Sequence, residues 1–114
     1  MDMNYIKTKF LSYQNIVSWC NNYAKENGCK ANIRLIDHKN HKTVDINYVS
    51  TLLYNMNVPS FRNSYNLRSF NKEQAVFYLT VRGTGIVIVC DFIYPVQKEN
   101  DYVIEPNGQL RFVL

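Results

Sequence analysis

The chain has 114 residues, 46% hydrophobic and 14% aromatic, which is enough for one domain with a core that needs no disulfide or metal to fold. Lys and Arg outnumber Asp and Glu by 13 to 9, and the net charge of +4 admits an anionic partner without demanding one. Three cysteines without a CxxC spacing exclude a disulfide framework, and no apolar run reaches the length of an export signal or membrane span, so the expectation is a cytoplasmic protein with reduced thiols.

Ile6, Phe10, Tyr13, Val17, Cys20 and Ala24 recur at helical spacing and predict a long N-terminal amphipathic helix over 4–27. Ile16, Trp19 and Tyr23 widen its apolar stripe, and Gly28 suits the left-handed residue that closes a helix. The polar side is rich in Asn and only mildly basic. That suits packing on a sheet better than lying on a membrane.

Residues 31–46 predict a hairpin. Ile33 and Leu35 alternate with Asn32 and Arg34, and Val44 and Ile46 alternate with Thr43 and Asp45. Between the two runs, Asp37 to Lys42 reads as a polar, exposed tip. Asn47 is then placed to cap a short second helix over 48–55, with Val49, Leu52 and Leu53 on one side and Pro59 beyond its end. Residues 58–72, VPSFRNSYNLRSFNK, show the weakest period in the chain and read as mostly loop.

The strongest local signal is Ala75 to Tyr94. Two apolar, β-branched and aromatic runs flank a Gly83-Thr84-Gly85 link, which predicts a hairpin. A polar stretch follows over 95–101. Pro106-Asn107-Gly108 between the last two apolar runs predicts a further hairpin over 102–114. The expected fold is therefore α+β, a single domain over 1–114. It comprises an antiparallel twisted sheet of about five to six strands built from hairpins, with the long helix on one face and the short helix beside it.

Three stretches are candidate sites. His38, Lys39, His41 and Lys42 make the first tip cationic enough to contact an anion. Zinc would need further ligands that Asp37 alone does not supply, so no metal is expected. Phe61, Tyr65 and Phe70 interleave with Arg62, Arg68 and Lys72, a pattern that either stacks unpaired bases and tracks phosphates or plugs the open side of the sheet. Arg82 stands at the mouth of the glycine link, whose strand flanks make it a turn and not a phosphate cradle.

No GxSxG, HExxH or placed Cys–His pair is present, so neither a catalytic residue nor a cofactor is expected. Abundant Asn and Tyr with scarce Ala and Gly match AT-rich coding and point to a phage or mobile element of a low-GC host. The leading expectation is a small non-enzymatic interaction protein, monomer or homodimer, that blocks or modulates a host protein handling nucleic acid. An anti-defence inhibitor, such as an anti-CRISPR protein, is one instance. Direct binding of single-stranded nucleic acid is the alternative. A small ribonuclease using His38 and His41 ranks below both.

Overall fold

The structure, a computed structural model, describes residues 12–59, 63–95, 102–104 and 106–112. The apolar stripe predicted over 4–27 is interrupted at Ser12, whose backbone is extended and whose Oγ accepts a hydrogen bond from the Asn15 N–H at 3.2 Å. A serine that bonds locally in this way starts a helix and does not continue one. Helix α1 is accordingly Tyr13–Glu26, shorter than the period suggests, and Ile6 and Phe10 lie outside the described residues. It closes at Gly28 (φ +67°), as expected. There the Cys29 N–H donates to the Ala24 carbonyl at 2.9 Å and the Gly28 N–H to the Lys25 carbonyl at 3.4 Å.

Strands β1 (Lys30–Asp37) and β2 (Lys42–Val44) form the first hairpin, with Asp37 opposite Lys42. Helix α2 (Ile46–Asn55) starts two residues before the expected position. Asp45, not Asn47, is its cap, accepting the Tyr48 N–H at 2.8 Å. Ile46, Val49 and Leu53 share helical spacing, which draws Ile46 out of the strand and onto the helix. The helix ends before proline forces it to, because Asn57 adopts φ +58° and the Val58 N–H reaches the Leu53 carbonyl at 2.9 Å.

The 58–72 segment contains a strand that its weak period did not predict. Tyr65–Phe70 is strand β3, paired antiparallel with β4, Gln74–Leu79. The register shifts between Leu67 and Ser69, leaving Arg68 without a partner opposite. Such a bulge reverses the in–out alternation. Tyr65 and Leu67 face the core before it and Phe70 after it, so no single period runs through the strand.

Strand β5 (Ile86–Ile93) pairs with β4 to complete the predicted central hairpin. Its link is longer than Gly-Thr-Gly. The Thr80 N–H bonds the Ser64 carbonyl at 3.0 Å, so residues 80–85 leave the β4–β5 ladder and form the loop. The last hairpin, β6 (Tyr102–Ile104) and β7 (Leu110–Phe112), forms around Pro106-Asn107-Gly108 as expected. It is a separate two-stranded sheet, its turn closed locally by the Gln109 N–H donating to Asn107 Oδ1 at 3.0 Å.

The main sheet has the order β2-β1-β5-β4-β3, antiparallel throughout. One face carries Leu35, Ala75, Phe77, Ile88, Cys90 and Phe92, all buried against Ile16, Trp19, Cys20 and Ala24 of α1 and Val49 and Leu53 of α2. The fold is α+β with both helices on that single face. Among the described residues no helix is long and apolar enough to cross a membrane.

A candidate basic groove on the uncovered sheet face

Strand alternation sends the remaining side chains to the opposite face, where cross-strand register sets them in rows. One row runs Ile36, Val87, Tyr78, Asn66; the next runs Arg34, Val89, Val76, Ser69. No helix of the described residues covers this face. Val87 and Val89 are buried, whereas Tyr78 remains 41% exposed.

The two ends of the face differ in charge. At one end Asp91 accepts hydrogen bonds from Arg34 Nη2 at 3.0 Å and Gln74 Nε2 at 2.9 Å, so that arginine is offset. At the other end lies a groove of about 460 Å³ lined by His38, Arg68, Tyr78, Arg82, Gly83 and Val87, among others. Arg34–Asp91 is the one ion pair among the described residues, so Arg68 and Arg82 have no carboxylate partner there.

Topology brings these residues together from three separate stretches. Strands β1 and β5 are neighbours with Asp37 opposite Ile86, and the His38 N–H donates to the Gly85 carbonyl at 2.9 Å. The β1–β2 tip therefore sits against the 80–85 loop. The bulge turns Arg68 toward the same face as Tyr78. Loop 80–85 is braced from within by Thr84, buried, with Oγ1 donating to the Val81 carbonyl at 3.0 Å. Gly85 (φ +67°) lies under Lys39: a Cβ added there would meet Lys39 Cγ at 2.8 Å.

Asp37 fixes the tip. Expected in the exposed loop, it is instead buried at 2% exposure. Oδ1 accepts the Asn40 N–H at 3.1 Å, and Oδ2 accepts Asn40 Nδ2 at 2.8 Å and the Tyr48 hydroxyl. The Asn40 side-chain amide first and the Tyr48 hydroxyl second hold this carboxyl at about 2, well below its ordinary value. The same contact pushes the Tyr48 phenol up. The aspartate nearest the tip is thus consumed within the fold, and the next, Asp45, caps α2.

The other sequence-predicted site residues are placed as follows. Lys39, His41 and Lys42 are exposed on the tip, but Lys42 Nζ lies 4.6 Å over the Tyr48 ring, on the α2 side. His41 holds a left-handed backbone, φ +53°. Tyr65 is fully buried in the core, and burial pushes its phenol up, so its ring faces no ligand. Phe70 packs edge-on against Trp19 and Tyr23, centroids at 4.9 and 5.1 Å. Lys72 is exposed in the β3–β4 turn, where Asn71 Oδ1 accepts the Glu73 and Gln74 N–H groups. Phe61 and Arg62 lie outside the described residues.

Tyr78 is not among the residues predicted from the sequence. Its signal was present in parity: within Ala75 to Leu79 it shares a side with Val76, opposite Ala75, Phe77 and Leu79. Among the described residues the groove is lined by one imidazole, His38, and by no carboxylate, so its chemistry is that of cationic and aromatic contact. Among the described residues no cluster of His, Cys, Asp and Glu could hold a metal ion.

No protein-family model matches this chain, and neither a curated protein nor a solved structure matches it.

Proposed function

We propose that this chain is a non-enzymatic interaction protein whose working surface is the uncovered face of its sheet. It docks on a host protein or nucleoprotein complex that handles nucleic acid and acts by occluding it, as an anti-defence inhibitor from a phage or mobile element would. The observation that carries this reading is the row Ile36–Val87–Tyr78, apolar at its centre and bordered by His38, Arg68 and Arg82. Interfaces are built in this way, with an apolar centre, a polar rim, and Tyr and Arg among the anchors. The rim is cationic and has no ion pair among the described residues, so the complementary surface is anionic.

Affinity capture from the native host tests the reading. A partner retained by wild type should be lost with Tyr78→Ala and weakened with Arg68→Ala, but kept with Lys72→Ala at the opposite end. Equal capture by all four proteins would refute the assignment of this face.

A further inference from the structure

Resting on that reading, we infer that the groove at the basic end of the uncovered face binds single-stranded nucleic acid, with one base on the Tyr78 ring and phosphates on Arg68, Arg82 and His38. Four observations converge. An aromatic ring on a sheet face offers a flat surface to an unstacked base, which a duplex keeps hidden. Three cationic or titratable side chains from three different loops and strands line one groove around that ring.

Among the described residues no carboxylate offsets the charge there. Asp37 is buried and bonded, Asp45 caps a helix, and Lys39 and His41 add to the same end from the tip. Finally, the groove wall at Gly83 is bare backbone. A Cβ there would have nothing within 4 Å, so the space in front of the peptide is open to a phosphodiester. A strand that alternates planar bases with phosphates engages the exposed ring and the arginines of this face at once.

The probes are fluorescein-labelled dT12 and U12, followed by anisotropy against the intact chain from low to physiological salt. Binding should fall log-linearly with salt, at a slope of about −1.5 to −2 for two to three phosphate contacts on a single strand. Arg68→Ala and Arg82→Ala should each flatten that slope by about 0.7. Tyr78→Ala should weaken binding roughly 5- to 100-fold, while Tyr78→Phe keeps it, since stacking needs the ring and not the hydroxyl. Lys72→Ala is the control at the far end. Because Tyr78 is partly exposed, its variants should keep wild-type circular dichroism, and that check accompanies each titration.

No anisotropy change at micromolar protein and low salt overturns the inference. So does equal affinity for a duplex of the same length, or a Tyr78→Ala protein that binds as wild type. Should the oligonucleotides fail while Tyr78→Ala still loses the captured partner, the strand assignment falls and the docking face stands. If neither depends on Tyr78, both fall.

Discussion

Replacing Asp37 by Asn tests how the tip beside the groove is held. The carboxylate takes three hydrogen bonds, from the Asn40 N–H, Asn40 Nδ2 and the Tyr48 hydroxyl, at 2% exposure. An amide retains one acceptor oxygen and turns a donor toward one of these donors, whichever way it flips. The fold lowers the carboxyl from 3.8 to about 2. At about 1.4 kcal/mol per pH unit, that preference for the charged form is on the order of 2 kcal/mol. Hydrogen bonds to a charged group, worth about 1.5–3 kcal/mol, give the same size. Against a total of about 5–15 kcal/mol this is a large loss.

Urea unfolding at pH 7 should show Asp37→Asn reaching its midpoint about 1 M earlier, for a slope of roughly 2 kcal/mol per M. The folded value lies below the unfolded one, so wild type holds the full advantage above about pH 4 and loses it as pH falls toward 2. Other carboxylates titrate in both proteins and cancel in the difference. The two midpoints should therefore converge near pH 2. An equal midpoint at pH 7, or a gap that persists undiminished at pH 2, would show that Asp37 does not clamp the tip.

Three further outcomes follow from the same geometry. Gly85→Ala puts a Cβ 2.8 Å from Lys39 Cγ at a left-handed φ, so it should lower stability by about 1–2 kcal/mol in thermal unfolding. Because His41 already pays for φ +53°, His41→Gly should be neutral or stabilising by up to about 1 kcal/mol in the same assay. Cys20 and Cys90 are fully buried against each other, and the Cys90 contact followed by burial pushes the Cys20 thiol up. A chromogenic disulfide reagent should therefore titrate at most one thiol, Cys29, in the native chain and three after denaturation.

Much of the scaffold was legible because its period is clean. The alternation of Ile33 and Leu35, the Ala75–Tyr94 runs and the Pro-Asn-Gly turn each named a strand or hairpin that formed. Strand β3 was hidden because the bulge at Arg68 breaks period two, leaving Tyr65, Leu67 and Phe70 in no single phase. The start of α1 was hidden for the opposite reason: apolar residues keep helical spacing across Ser12, and only the side-chain bond to Asn15 marks the break. At α2, Asp45 and Asn47 were chemically equivalent caps, and the packing of Ile46 decided between them.

The site was legible in pieces but not in assembly. His38, Arg68 and Arg82 could each be named as cations in loop-rich sequence, yet their meeting depends on β1 lying beside β5 and β3 beside β4. That strand order has no local signature. Tyr65 and Phe70 matched a stacking pattern in the chain, but the same aromatic character made them core residues once β3 joined the sheet. Exposure distinguishes the two uses of an aromatic ring, and exposure is a property of the fold.

Which face meets the partner can be read directly with a photo-crosslinker. Benzoylphenylalanine would be placed in separate proteins at Tyr78, on the uncovered face, and at Tyr54, 80% exposed on α2. Irradiation in host cells should give covalent adducts, to protein or nucleic acid, from position 78 and none from position 54. Adducts from position 54 alone would put the partner on the helical side and refute docking through the sheet face.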